Sequence, residues 1–172
     1  MRALVSAVLL TFTSLCFAGG GPTLSDSSAC QKGLNPQEVL AQINALRTQP
    51  RQCGAVNMPP AQALRWDPRL AASAQAFAGE LSQRNELSHI SALGLTLRKR
   101  FRLQGYPLMR AGENLAGGQE TLDEVMLAWV SSAAHCDNLM EPSFVDVGMA
   151  CVVGPGQYER YWVLHLGRAF KD

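Results

Sequence analysis

The chain has 172 residues, 47% hydrophobic and 17% charged, the composition of one folded domain rather than of a disordered chain. Its 15 basic and 14 acidic side chains nearly cancel, and loss of Arg2 with the leader described next leaves 14 of each sign. That even balance gives no whole-chain electrostatic case for binding nucleic acid or an anionic membrane surface.

Residues 1–18 read as a cleavable export signal. Met1-Arg2 is a short basic start, Ala3 to Phe17 is mostly apolar, and Cys16 and Ala18 put small residues where a signal peptidase reads. The run is too short and interrupted to span a bilayer, and no later segment is long and apolar enough either. The expected product is periplasmic or secreted, with no transmembrane anchor in the mature chain. A lipoprotein reading of Thr13-Ser14-Leu15-Cys16 is weaker, because Leu15 is bulky where a small residue is wanted. Residues 19–33, rich in Gly, Ser and Pro, read as a flexible lead-in, and 34–172 as the domain. Without Cys16, the cysteines are Cys30, Cys53, Cys136 and Cys151, an even set that predicts two disulfides in an exported chain. Three pairings are open and the sequence does not choose among them; Cys53–Cys136 with Cys30–Cys151 is the favoured one. The absence of C-x-x-C argues against a cysteine zinc site or a thioredoxin-like centre.

The first predicted helix starts at Asn35-Pro36, a good cap followed by a residue suited to the first turn, and ends at Pro50. Val39, Leu40, Ile43 and Leu46 give it one apolar face. Asp67-Pro68 repeats the device for a second helix, whose Leu70, Ala71, Ala74, Phe77, Ala78 and Leu81 suit close packing. A shorter helix is predicted from Thr96 to Leu103, stopping at Gly105. A fourth begins at Thr121, where Thr121 and Glu124 form a capping box and Val125, Met126 and Trp129 the buried face. The period then changes. Val147–Val153 and Arg160–Leu166 surround Gly154-Pro155-Gly156, a strand-turn-strand signal. The class is α+β, with helices around a largely antiparallel sheet.

Three histidines are present. His89 and His135 fall just past predicted helices, where functional side chains often project. Glu113 is expected in a loop between the glycine-bearing turns Ala111-Gly112 and Gly117-Gly118. Two imidazoles and a carboxylate are the ingredients of an open site for zinc or another divalent cation, although the spacing forms no local motif such as H-E-x-x-H. His165, inside a strand, reads as a packing residue and stays out of the candidate site. Ser88, Ser131 and Ser132 lie outside any G-x-S-x-G elbow. Trp66, Trp129 and Trp162 read as core.

A series of segments resembles one known family. Gln42-Ile43-Asn44-Ala45-Leu46-Arg47, Leu64-Arg65-Trp66-Asp67-Pro68-Arg69-Leu70, Leu87-Ser88-His89, Gly105-Tyr106, Gly112-Glu113-Asn114-Leu115-Ala116, Trp129 with His135 and Asn138-Leu139-Met140, and Val147-Gly148-Met149-Ala150 with Tyr161-Trp162 occur in order between Leu34 and Phe170. Together they resemble bacterial members of the CAP or SCP superfamily (cysteine-rich secretory protein, antigen 5, pathogenesis-related 1). The resemblance implies a three-layer α-β-α sandwich with a central antiparallel sheet. It also implies a cleft lined by two histidines and two glutamates, carried here by His89, His135 and Glu113. The second glutamate's position holds Ser132, which removes one negative ligand and a candidate general base. Phe77 stands where many bacterial relatives carry a polar residue or histidine. The expected role is that of a binding module for a small molecule, a lipid or an envelope component. The alternatives are a zinc-dependent, peptidase-like hydrolase and a lipid or sterol carrier.

Overall fold

Capping chemistry starts the helices where the sequence places them. Helix α1 (Pro36–Arg47) opens on Asn35, whose side chain accepts from the Gln37 amide. In the computed structural model, which describes Cys30 and residues 33–170, the expected export signal and nearly all of the lead-in lie outside the described residues. A hairpin of β1 (Arg51–Cys53) and β2 (Val56–Met58) follows, then the two-residue strand β3 (Arg65–Trp66). Helix α2 (Pro68–Arg84) is capped by Asp67, which accepts from the Arg69 and Leu70 amides, and closes at Asn85 in the left-handed region. Thr96 caps α3 (Leu97–Leu103) and Thr121 caps α4 (Leu122–Ser131). Glu124 does not complete a box on its cap: its carboxylate accepts from the amide of Glu120, one residue earlier.

The remaining elements are β4 (Leu108–Gly117), α5 (Ala133–Met140), β5 (Asp146–Val153) and β6 (Arg160–Ala169). The main sheet has the order β3-β5-β6-β4. Its long ladders are antiparallel, and β3 joins β5 in parallel. Alternation along the strands sorts two cores. Trp162, Leu164 and Leu166 of β6 face α1, α4 and α5 with Val39, Ile43, Val125 and Trp129. Tyr161 and Val163 face α2 with Ala74, Phe77, Ala78 and Leu81. The result is the expected α-β-α sandwich. Trp129 and Trp162 are buried, and Trp66 packs against the first core from its edge.

Two segments differ from expectation. Residues 108–117 form a ten-residue strand rather than a loop. That stretch carries no β-branched residue, so its only strong reason to extend is the ladder with β6, which pairs Glu113 with His165. His135 lies inside α5, not beyond a helix, because Ser132 ends α4 and starts α5.

Two disulfides lock the layers. Cys30–Cys151 fastens the segment before α1 to β5, and Cys53–Cys136 fastens the hairpin to α5. They close long spans, of 121 and 83 residues in sequence, so each removes much chain entropy from the unfolded state.

Helix α2 lies on the sheet at one glycine. A Cβ on Gly148 would fall 2.1 Å from the Ala71 amide nitrogen and 2.4 Å from the Leu70 carbonyl carbon. These are backbone atoms, so no side-chain rotation relieves the clash. Gly148→Ala is therefore expected to destabilise the oxidised domain by about 3 kcal/mol, read as a fall in denaturation midpoint. An unchanged midpoint contradicts this packing.

Candidate functional site

Strand β4 is an edge strand of the sheet. Alternation turns Glu113 and Leu115 toward the α2–α3 layer, and Asn114 and Ala116 toward the other. The Glu113 side chain is only 3% exposed, and three groups from three elements satisfy it. His89, in the loop after α2, meets Oε1 through Nδ1 at 2.7 Å. Arg100 of α3 donates to Oε2 at 2.5 Å, and His165 of β6 meets Oε2 through Nε2 at 2.9 Å.

Arg100 does more than neutralise Glu113. Its Nη1 donates to the carbonyls of His89 and Leu95, at 3.1 and 3.2 Å, and so pins the 89–95 loop to α3. Its guanidinium carbon sits 3.5 Å above the centre of the Phe77 ring. The aromatic residue at position 77 thus serves as the platform for a buried cation.

Electrostatics follow from this arrangement. Burial acts to raise the Glu113 carboxyl, but hydrogen bonds from His165 and His89 and the neighbouring positive charge overcome it and hold the group down at about 2. His89, 61% exposed at its side chain, is raised chiefly by its bond to Glu113. His165 is fully buried and burial lowers it, which favours the neutral ring, and its Nε2–H donates a hydrogen bond to the carboxylate. His135 is lowered, first by burial and then by the charge of His89.

His135 comes to this edge from the opposite layer. Asn114 donates to the His135 carbonyl at 3.0 Å, and Asn138 donates both to Asn114 Oδ1 at 2.9 Å and to the Glu113 carbonyl at 3.2 Å. These bonds hold α5 against β4. The fold therefore brings His89 and Glu113 into direct contact and sets His135 within electrostatic reach of His89. Among the described residues no three His, Cys, Asp or Glu side chains form a ready cation cage.

Two members of the cluster escaped sequence reasoning. His165 is not merely a packing residue, as expected, but a donor to Glu113. Its alternation with Tyr161 and Val163 assigns it a face, but the register that puts Glu113 opposite is invisible in the sequence. Arg100, among Arg98, Lys99 and Arg102, carried no mark of burial.

A carboxyl held at about 2 against an ordinary 4.5 binds protons more weakly in the folded state than in the unfolded one. Its contribution, about 3 kcal/mol, is present above pH 4.5 and lost as pH falls towards 2. Glu113→Gln is expected to cost about 3 kcal/mol at pH 7, because Arg100 is left buried without its counter-charge. The gap from wild type should close in acid. Urea unfolding of both proteins across that range checks it, and a gap independent of pH counts against the charge assignment.

The family model for CAP, the cysteine-rich secretory protein family, matches residues 40–166. The uncharacterised protein YkwD of Bacillus subtilis is 33% identical over 89 residues, 52% of this chain and 35% of that protein. This chain accordingly matches about a third of that relative's length. An extracellular SCP-domain protein from Bacillus anthracis superposes with a TM-score of 0.63 at 23% identity, over 77% of this chain and 39% of that one. An outer surface protein from Borrelia burgdorferi gives 0.64 at 21%, over 78% and 92%. A crystal structure of NaASP2 with Zn2+ gives 0.52 at 15%, over 88% and 85%. At these identities the solved structures share the fold. Because the family model runs through most of the sequence and the sandwich matches these folds, the chain belongs to the CAP, or cysteine-rich secretory protein, family.

Proposed function

We propose that this chain is an exported binding module whose cleft holds a divalent cation, zinc for example, between His89 and His135. The observation that carries the reading is the 2.7 Å bond from His89 Nδ1 to Glu113. A carboxylate that accepts a hydrogen bond from Nδ1–H fixes the tautomer of the neutral ring, so Nε2 keeps its lone pair as a ligand, the usual outer-shell arrangement of a metal-binding imidazole. Glu113 then orients the ligand instead of being one. The lowered basicity of His135 keeps its ring neutral and free to coordinate. The related fold crystallised with Zn2+ supports the choice of ion. Two nitrogens make an incomplete shell, leaving room for water or for an acceptor group of a small ligand. Export is supported by the predicted leader and the two disulfides. No helix among the described residues is long and apolar enough to cross a membrane.

The hydrolase reading draws no support from Glu113. A general base works with a pKa near the operating pH and a free lone pair. This carboxylate is held at about 2 and both its oxygens are engaged.

Zinc titration of the oxidised protein, followed by calorimetry and thermal melting, is expected to show one weak site. His89→Ala and His135→Ala should each abolish it. Affinity should increase as pH rises above 6.5, since His89 is raised above that ordinary value and its proton competes with the ion. Absence of any zinc effect on the wild type, or its survival in both variants, ends the reading.

A further inference from the structure

A hollow of about 400 Å³ opens where β3, β5 and the end of β6 meet, and none of His89, Glu113 and His135 lines it. Its polar wall is Arg65, Asp146 and Arg168; its apolar wall includes Ala63, Val145 and Phe170, the last 60% exposed. The surroundings are firmly held. Backbone bonds from Arg65 to Val145 and from Val145 to Gly167, at 2.9 and 3.0 Å, tie the three chains together there. The fully buried Arg47 donates to the carbonyls of Gln62, Leu139 and Glu141, at 2.8, 2.6 and 3.2 Å, and so joins the segment before β3 to the one before β5. Asp146 is buried and both its oxygens are engaged: Oδ2 accepts from the Tyr106 hydroxyl at 2.8 Å and Oδ1 from Arg65 Nη2 at 2.9 Å. Two guanidiniums against one carboxylate leave this wall with one positive charge in excess. Arg65 is 76% exposed at its side chain although Nη2 is committed to Asp146, and its Nε and Nη1 meet no acceptor among the described residues. Arg168 makes one long bond there, 3.4 Å from Nη1 to the Ser143 carbonyl, and pairs with no acid among the described residues.

We propose that this hollow is a second binding site, for a small organic carboxylate with an apolar body: the carboxylate is held by Arg65 with Arg168 adding charge, and the body lies against Phe170. The volume falls within the range of about 300–1,000 Å³ usual for small-molecule sites. The unmet positive charge selects an anion over a neutral molecule or a cation. A guanidinium offers a planar fork that a carboxylate meets with two parallel bonds, and Asp146 restrains the Arg65 fork through one nitrogen before any ligand arrives. The apolar wall selects an organic acid over a hydrated inorganic anion, because Phe170 and Val145 lose water-exposed surface only against another apolar group. None of these residues is a proposed cation ligand, so the inference does not depend on metal binding.

The test is an NMR titration of the oxidised, isotope-labelled protein with phenylacetate, set against its neutral amide, phenylacetamide, and against inorganic phosphate. Phenylacetate is expected to bind saturably, with a Kd of about 1 mM, and to shift the amide signals of Val145 and Asp146. Phenylacetamide and phosphate should each bind at least several-fold more weakly. Arg65→Gln should weaken phenylacetate about 10-fold, the loss of one charge-assisted interaction, and Arg65→Lys, which keeps the charge without the fork, should recover only part of it. Arg168→Gln should weaken it several-fold. Both arginines lie away from the proposed cation ligands, so zinc binding by these variants should match wild type. Failure of phenylacetate to bind the wild type overturns the proposal, and so does binding that survives both glutamine variants. Equal affinity for phenylacetamide overturns the carboxylate assignment, and equal affinity for phosphate overturns the organic acid in favour of a general anion site.

Discussion

One buried carboxylate holds this domain's edge together. Glu113 lies on a strand with little intrinsic reason to extend, yet it is bonded to β6 through His165, to α3 through Arg100 and to the loop after α2 through His89. Removing water from an ion is costly unless every lone pair finds a partner. Here the partners come from elements distant in sequence, so the ion pair forms only when the α2–α3 layer has closed on the sheet. Its value lies as much in fixing that arrangement as in stability.

The same constraint explains the choice of neighbours. Arg100 must be buried to reach Glu113, and Phe77 gives its guanidinium an aromatic face to rest on. Gly148, next to His165 in the ladder, has no side chain, so α2 can lie directly on the sheet. The Asn114–Asn138 pair does for the opposite layer what Arg100 does for this one, tying α5 and therefore His135 to β4. The two disulfides act farther out, holding the hairpin and the segment before α1. The backbone carbonyls of His89 and His135 are thus both fixed, by Arg100 and by Asn114.

That support has a functional consequence: Glu113 is committed to structure. A carboxylate with both oxygens engaged orients His89 well and abstracts protons poorly. Ser132, where the family resemblance implies a second glutamate, supplies no carboxylate.

Much of this was written locally. Asn35-Pro36 and Asp67-Pro68 set the helix starts because caps act within one turn; Val and aromatic alternation marked β5 and β6 because it acts within one strand. The order of the motifs identified the family and hence the sandwich, and the sequence alone nominated His89, Glu113 and His135. Tertiary structure decided the rest. That Glu113 is in a strand, that it faces His165, that Arg100 among four neighbouring cations is the buried one, and which cysteines join, all depend on register and packing between segments tens of residues apart. No local pattern encodes them, because their energies exist only after the layers meet.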